Sequence, residues 1–388
     1  MTHSRTMANS LNFKRRGIVE GFFGPPWSMK QRGAMFAFGA ARGMNTYLYA
    51  PKDDPYHRAK WRLPYPRKSW FEMERLIRLA NRRGIDFVYG FHPGNGLRFS
   101  DEGPVRTLLA KASRFYDAGV RTFAVLFDDI PSHLEHASDR RRFRGSLARA
   151  EGAWVSAIVA QQQAQWRDVE WWICPSYYSE DPLLERVFGK LETEFLEKLA
   201  ETLPRSVACM WTGPKIVSPT ISLAHVRRIA ARIQRPLILW DNYPVNDLSM
   251  SAEMHLGPLT GRDPRLPQAV YGYLNNPLLQ EHLTYIPLAT CFDYAADARR
   301  YSPEASWRRA IVERFGASAL RHWGAIRSFC ERDMRRRNKE LPLRLRHAEA
   351  PAFRSALKYI SEHARTPWAR ELAPWTERLQ KTLTADMP

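Results

Sequence analysis

The 388-residue sequence has few cysteines, no long apolar run and a shortage of acidic side chains. No stretch is long and apolar enough to span a membrane, and the N-terminal residues lack the apolar core of a secretory signal. We therefore expect a cytoplasmic protein that makes no membrane contact, with residues 1–15 as a disordered tail. The four cysteines lack the close spacing of metal ligands and predict buried, reduced thiols: Cys174, Cys209, Cys291 and Cys330.

The charge balance is strongly basic. Only 40 acidic side chains oppose 59 lysines and arginines, which gives a formal net charge of +19. Residues 299–388 hold 20 of these basic side chains and 10 of the acidic ones, so about half of the excess lies there. Such an excess is typical of proteins that bind nucleic acid or another anionic polymer. The alternative is a solvated, arginine-rich helical surface, because a charge run alone identifies no partner.

Between residues 16 and 298, eight short apolar segments alternate with amphipathic helical stretches, and each segment is typical of a buried strand. The predicted strands are 17–22, 45–49, 86–91, 123–127, 171–174, 207–211, 237–240 and 270–274. Eight strand–helix units predict the α/β class and a (β/α)8 TIM barrel as the catalytic domain. The alternation stops after residue 298, and residues 299–388 predict a small, basic, helical C-terminal domain with helices over 302–322, 326–339 and 351–364.

The pair Asp128-Asp129 follows the fourth predicted strand, where a barrel enzyme places its active site. Two carboxylates held close together cannot both ionise easily, and a carboxylic acid that keeps its proton can act as a general acid. The alternative is a pair of loop aspartates that cap the next helix. Two adjacent carboxylates cannot easily stand on opposite sides of the bond that breaks, as most sugar-cleaving enzymes require. They suit hydrolysis in which the substrate's own acetamido group acts as the nucleophile.

Polar and aromatic residues follow the other predicted strands as well. They include His92 after the third strand, Tyr177-Tyr178 after the fifth, Trp211 at the sixth and Asn275-Asn276 after the eighth. Aromatic rings stack on sugars while amides and carboxylates bind the hydroxyls, so this mixture indicates a sugar site. Core packing is the alternative for each tryptophan taken alone.

Six ordered segments together resemble glycoside hydrolase family 84, the retaining β-N-acetylglucosaminidases that include protein O-GlcNAcase. They are VEGFFGPPW (19–27), NTYLYAPKDDPYHRAKWR (45–62), FAVLFDDI (123–130), MWTGPKIVS (210–218), WDNYPVND (240–247) and LNNP (274–277). The resemblance covers roughly residues 16–298. It implies hydrolysis of terminal β-linked N-acetylglucosamine through an oxazoline intermediate, with no metal and no cofactor.

The resemblance also implies roles for individual residues. Asp128 orients the acetamido group, and Asp129 is the general acid and base. Contacts to the substrate are implied for Gly21, Lys52, Tyr178, Trp240, Asn242, Asp247 and Asn276. Among these, Gly21, Lys52, Asp247 and Asn276 bind hydroxyls, Tyr178 donates to the acetamido oxygen, Trp240 lines the N-acetyl pocket, and Asn242 contacts the reacting region. The chain departs from the family pattern at Phe23, Pro25 and Tyr177.

The sequence leaves open whether the barrel hydrolyses its ligand or only binds it, and which partners it contacts. A non-hydrolytic barrel that binds a sugar or glycoprotein, with the basic region docked on an anionic partner, is the competing interpretation. The paired aspartates favour the enzyme, because a binding module needs no general acid. The expected partner is a glycoconjugate or glycoprotein that carries N-acetylglucosamine, and the C-terminal helices could form a homodimer contact.

Overall fold

The computed structural model describes residues 12–94, 96–336, 343 and 346–385. Within this part of the chain, eight strands occur in the predicted order, and each predicted strand is confirmed with small shifts at its ends. The strands are β1 (Arg15–Glu20), β2 (Thr46–Tyr49), β3 (Asp86–Phe91), β4 (Thr122–Leu126), β5 (Glu170–Cys174), β6 (Ala208–Trp211), β7 (Leu237–Asp241) and β8 (Gly272–Asn275). Consecutive strands pair in parallel, and β1 also pairs with β8, so the sheet is a closed barrel.

Helices follow most of the strands, as a (β/α)8 barrel requires, and further helices follow the barrel. The predicted fold class, a TIM barrel followed by C-terminal helices, is confirmed. The helices are α1 (Met29–Ala40), α2 (Arg67–Arg82), α3 (Gly103–Asp117), α4 (Ala137–Arg142), α5 (Leu147–Gln163), α6 (Pro182–Phe188), α7 (Phe195–Thr202), α8 (Leu223–Ile233), α9 (Tyr285–Ala296), α10 (Pro303–Phe315), α11 (Leu320–Met334), α12 (Ala350–Glu362), α13 (Pro367–Glu371) and α14 (Ala373–Ala385).

The barrel interior is filled by side chains from every strand, so it is a packed core rather than a pore. This buried cluster includes Val19, Leu48, Val88, Ala124, Leu126, Trp172, Met210, Ile238 and Leu274. Alternate residues of the strands point outward toward the helices. Tyr47 of β2, for example, contacts Phe36 of α1 edge-on, with 4.8 Å between the ring centroids. Large apolar residues on both faces explain why strands such as β4 and β7 have nearly continuous hydrophobic sequences.

Several helices begin at polar caps. Ser28 accepts a hydrogen bond from Gln31 at the start of α1, and Gln31 bonds back to Ser28 to complete a capping box. Ser146 and Ser222 cap α5 and α8 in the same way, each accepting from a backbone N–H of the first turn. These caps fix where each helix begins, and hence the length of the loop that leaves the preceding strand.

The first residues of the chain were predicted to be a disordered tail, 1–15. Residues 1–11 of that segment lie outside the described residues. Residues 12–15 instead join the ordered barrel, because Phe13 is only 1% exposed and stacks on Tyr273 with 5.2 Å between the ring centroids. Strand β1 then begins at Arg15.

The described chain divides into two compact units, and the division is discontinuous in sequence. The first unit contains the described residues up to Asn242 together with Gly261–Asn276 and Ala295–Arg299. The second contains Tyr243–Thr260, Pro277–Tyr294 and the described residues from Arg300 onward. The sequence predicted a single boundary after residue 298, whereas the segment after β7 and most of α9 belong with the C-terminal helices.

The second unit has its own apolar core, which draws residues from all three of its chain segments. Met254, Leu256, Ile286 and Trp323 are among the buried members. Tryptophan side chains also hydrogen-bond across these segments: Trp307 Nε1 donates to the Leu256 carbonyl at 2.7 Å, and Trp375 Nε1 donates to the Ala252 carbonyl at 3.1 Å. A buried indole N–H is stabilised by an acceptor, so these two bonds help to fix residues 252–256 within this unit.

Many arginines of the basic C-terminal region have carboxylate partners inside the second unit. Arg327 pairs with Glu304 and Glu331, and Arg332 pairs with Glu349. Residues 337–339, which complete the densest basic run and the end of a predicted helix, lie outside the described residues. The predicted anionic polymer partner therefore stays a prediction, as do the homodimer and the cytoplasmic location. None of the helices in the described ranges is long and apolar enough to cross a membrane.

Candidate active site

Asp128 and Asp129 follow β4 after one intervening residue, Phe127, at the carboxyl end of the barrel. Both carboxylates approach one ammonium group. Lys52 Nζ donates a short hydrogen bond to Asp128 Oδ2 and lies 3.5 Å from Asp129 Oδ2. Lys52 and Asp128 are almost completely buried, whereas the Asp129 side chain is 20% exposed. The two aspartates therefore differ: one is enclosed with the lysine, and the other faces more open space.

The backbone at Asp129 explains how two adjacent carboxylates reach the same group. Successive side chains of a strand normally point in opposite directions. Asp129 has a φ of +63°, in the left-handed region, and so departs from the extended conformation. Aspartate tolerates this conformation better than most residues with a β-carbon, and such outliers are common at functional sites. The positive φ interrupts the alternation of side-chain directions, so that both carboxylates can face Lys52.

The charge state of Asp128 follows from competing effects. Burial raises its pKa, but the neighbouring Lys52 ammonium, His92 and Arg58 more than offset this, and the pKa falls to about 2. Burial likewise opposes the charge on Lys52, yet the two carboxylates raise the pKa of that amine overall. Asp128 is therefore an anion at neutral pH. Its second oxygen, Oδ1, is buried and meets no hydrogen-bond donor in the described part of the chain.

His92, after β3, holds the backbone of Asp128. Its Nε2 lies 2.7 Å from the Asp128 carbonyl oxygen. Because a carbonyl oxygen only accepts hydrogen bonds, Nε2 must carry the proton in this contact. Burial, followed by the Lys52 charge, lowers the pKa of His92 to about 4, so the imidazole is neutral near pH 7. The sequence placed His92 at a strand end but gave it no role.

Tyr178 approaches the second aspartate from the loop after β5. Its hydroxyl donates to Asp129 Oδ1 at 3.2 Å, and the side chain is 6% exposed. Burial and the two carboxylates raise its pKa, so the hydroxyl stays a proton donor. The Tyr178 carbonyl accepts from the Thr212 backbone N–H at 2.9 Å, which ties this loop to the segment after β6.

A buried carboxyl group supports the same loop from behind. Glu151 of α5 is fully buried, and its carboxyl oxygens lie 3.3 and 3.4 Å from the backbone N–H of Ser176, which donates to them. Burial raises the pKa of Glu151 to about 8. Ser176 is only two residues before Tyr178. Glu151 was not among the predicted site residues; the available signal was an acidic residue on the apolar face of a long helix.

The loops after β7, β8 and β1 are joined by a chain of amide contacts. Asn242 Oδ1 accepts from Trp240 Nε1 and from Asn276 Nδ2, both at 3.0 Å. Asn276 Oδ1 in turn accepts from the Gly21 backbone N–H at 3.3 Å. A β-carbon on Gly21 would lie only 2.4 Å from the Trp240 ring, so glycine is required here. This network fixes one edge of the Trp240 indole. The carbonyl oxygen of Gly21 takes no part in the network.

Lys52 connects this network with the aspartates. Its Nζ lies 5.8 Å from the centre of the Trp240 ring and 5.7 Å from the centre of the Phe23 ring. The first unit therefore brings eight of the nine residues of the predicted site to one end of its barrel. Asp247 belongs to the second unit, where it is 8% exposed and precedes the short 3-10 turn Leu248–Met250. Its predicted contact with sugar hydroxyls stays a prediction.

No group of three or more His, Cys, Asp or Glu side chains within the described ranges is arranged to hold a metal ion. The four cysteines are buried and unpaired by disulfides. The pair of carboxylates, a shared lysine, a tyrosine hydroxyl and a wall of tryptophan and asparagine can together bind a neutral polar ring and transfer a proton at its edge.

The family model described as beta-N-acetylglucosaminidase matches residues 16–330. The chain belongs to this family. Its members form glycoside hydrolase family 84, so the resemblance first drawn from six short segments is confirmed. The matched region contains all nine residues of the predicted site.

Among curated proteins, the protein O-GlcNAcases of Mus musculus and Rattus norvegicus are each 34% identical to this chain over 274 residues. The match covers 71% of this chain but only 29% of either relative, so this chain spans less than a third of their length. Among solved structures, a mutant O-GlcNAc hydrolase from Thermobaculum terrenum is 30% identical, with a TM-score of 0.86. That match covers 95% of this chain and 81% of the other.

Proposed function

We propose that this family 84 member is a retaining β-N-acetylglucosaminidase that releases terminal β-linked N-acetylglucosamine from a glycoconjugate or glycoprotein. Its main support is the state of Asp128, an ionised carboxylate with one buried oxygen that meets no donor among the described residues. An acetamido N–H is a donor of the right kind for that oxygen. A buried acceptor left without a donor costs free energy, so a ligand that supplies one gains affinity.

In the proposed reaction, Asp128 accepts the acetamido N–H and turns the carbonyl oxygen toward the anomeric carbon. That oxygen forms a bond to the anomeric carbon as the glycosidic bond breaks, and Asp129 gives its proton to the leaving oxygen. The resulting ring is a protonated oxazoline whose N–H stays hydrogen-bonded to the anionic Asp128 carboxylate. Water opens it at the anomeric carbon, and one proton of that water returns to Asp129. Two displacements at the same carbon retain its configuration.

The remaining residues have binding roles in this proposal. The Tyr178 hydroxyl turns from Asp129 to the acetamido oxygen once substrate is bound, and Trp240 forms a wall of the N-acetyl pocket. The Gly21 carbonyl and the Lys52 ammonium bind hydroxyls, and Lys52 also keeps Asp128 ionised. Hydroxyl contacts from Asn276 and Asp247, and a contact from Asn242 near the reacting atoms, follow the family resemblance.

The first test compares 4-methylumbelliferyl β-N-acetylglucosaminide with the matching β-glucoside, which lacks the acetamido group. We expect turnover of the first compound only. Asp129→Asn should lose roughly 100-fold or more on substrates with poor leaving groups, and much less on activated aryl glycosides that need no acid. Asp168→Asn, at an exposed position before β5, is the matched control and should behave as wild type.

Substrate assistance has a separate test. Fluorine atoms on the acetyl group withdraw electron density from its oxygen, so the rate should fall steadily from acetyl to difluoroacetyl to trifluoroacetyl substrates. Equal rates across this series would exclude the acetamido oxygen as nucleophile. Binding without turnover of any substrate by folded protein would favour the non-hydrolytic sugar-binding barrel instead.

A further inference from the structure

A cavity of about 620 Å³ opens beside the paired aspartates on the first unit. Two of its lining residues, Lys52 and His92, also contact Asp128, so the cavity shares a wall with the candidate site. The other residues that line it come from the loops after β2 and β3 and include Asp53, Arg58, Trp61 and Arg62. Trp240, Tyr178 and the two asparagines are not among them.

The cavity lining contains two arginines that form no ion pair with the described part of the chain. Neither Arg58 nor Arg62 has a carboxylate within ion-pair distance in the described part of the chain, and Asp53 is the single acidic residue in the lining. Two other arginines of this unit do have carboxylate partners: Arg32 pairs with Glu20, and Arg262 pairs with Asp241.

Aromatic rings hold both guanidinium groups in place. The Arg58 guanidinium lies 5.2 Å from the centre of the Phe23 ring, and that of Arg62 lies 4.6 Å from the centre of the Trp61 ring. Trp61 is 2% exposed, so its ring is a fixed support. A stacked guanidinium keeps its N–H groups free at its edge, where it can bind a carboxylate with two parallel hydrogen bonds.

We propose that this cavity, which we call the arginine pocket, binds a carboxylate that the substrate carries next to its N-acetylglucosamine residue. The assignment rests on the proposed hydrolase function and narrows it to substrates with an acidic aglycone. Lys52 is already neutralised by the two aspartates, so Arg58 and Arg62 are the cations available to the incoming anion.

A second cavity continues the positive surface away from the aspartates. It measures about 330 Å³ and shares Arg62 with the arginine pocket, and Arg98 and His136 also line it. Its one carboxylate, Asp101, already accepts from the Gly103 backbone N–H at 2.9 Å. An aglycone with more than one negative charge would meet Arg98 as a further cation along the same path.

Two kinds of aglycone carry carboxylates: a peptide with glutamate or aspartate beside the modified serine, and a uronic acid. The experiment measures kcat/KM on matched pairs that differ only in this group. One pair is a serine-linked N-acetylglucosamine peptide with flanking glutamates and the same peptide with glutamines. The other is N-acetylglucosamine β-linked to glucuronic acid and to glucose. The leaving oxygen within each pair is of the same kind.

We expect wild type to prefer the acidic member of at least one pair by roughly fivefold, the upper effect of an ion pair near a surface. The preference should fall toward one in the double variant Arg58→Gln/Arg62→Gln and should weaken at high salt. The ratio of the two substrates is the readout, because Arg58 also acts on Asp128 and its loss can change both rates together. Arg78→Gln, an exposed arginine on α2, removes one charge elsewhere and should keep the preference.

The outcomes separate the pocket from the hydrolase function. Preference in one pair that disappears in the double variant supports the pocket and names the source of the carboxylate. No preference in either pair, or a preference that survives in the double variant, overturns the arginine pocket while the hydrolase proposal stands. No cleavage of any substrate, including the methylumbelliferyl glycoside, overturns the hydrolase function on which the pocket depends.

Discussion

Replacing Glu151 with glutamine should make the stability of the protein less dependent on pH. The Glu151 carboxyl is fully buried on α5 and bonds only to the Ser176 backbone N–H among the contacts described above. Burial raises its pKa from 4.5 to about 8. In the unfolded chain the same group loses its proton above about pH 4.5. Between pH 4.5 and about 8 the folded protein therefore holds a proton that the unfolded chain has lost.

The sign of the effect follows from that difference. The contribution is fully present below pH 4.5, is lost progressively as the pH rises to about 8, and stays lost above it. Each pKa unit corresponds to about 1.4 kcal/mol, so the full difference is at most about 5 kcal/mol. Glutamine has nearly the same shape, can still accept from the Ser176 N–H, and carries no charge at any pH.

Urea unfolding followed by tryptophan fluorescence at pH 5, 7 and 9 tests this reasoning. Between pH 5 and 9, wild type should lose several kcal/mol more of its unfolding free energy than Glu151→Gln, although other groups titrate equally in both. Glu72→Gln, at an exposed position on α2, should follow wild type. Parallel pH dependence of wild type and Glu151→Gln would refute the idea that this buried carboxyl stays protonated.

Two further replacements test the geometry around the aspartates. Gly21→Ala should lower kcat/KM by about tenfold or more, because the added β-carbon would lie only 2.4 Å from the Trp240 ring and would displace it. Gly324→Ala is the control, since a β-carbon there meets nothing within 4 Å. A fully active Gly21→Ala enzyme would contradict the required close approach. Lys52→Gln should raise the pKa of Asp128 from about 2, since its nearest cation is gone. The acidic limb of the kcat/KM profile should therefore move up by roughly one to two pH units, and an unmoved limb would show that another group sets it.

The strands could be predicted from the sequence because both of their faces are buried. A run such as residues 123–127 is apolar throughout, and that pattern leaves few alternatives to a barrel strand. Helix faces were less certain. In α2, Phe71 and Met73 are both large and apolar, yet Phe71 is 57% exposed while Met73 is buried. This helix begins at Arg67, and its buried stripe runs through Met73, Leu76 and Ile77.

The parts of the site that escaped prediction depend on contacts distant in sequence. Glu151 supports a loop 25 residues later, and Arg58 and Arg62 become a pocket only when the loops after β2 and β3 meet. The left-handed backbone at Asp129 has no sequence signal beyond the tolerance of aspartate for it. The aspartate pair was found because two adjacent charges after a buried strand are costly and hence informative.

The discontinuous second unit has a consequence for how the chain matures on the ribosome. Met254, Leu256, Leu283 and Ile286 are synthesised well before α11, α12 and α14, which supply most of the core that buries them. Until those helices are synthesised, these four apolar side chains stay exposed to water. A fragment that stops at residue 298 would keep that exposed surface permanently, and exposed apolar patches of this kind promote aggregation. We therefore expect a fragment that ends at residue 298 to aggregate more readily than the chain completed through α14.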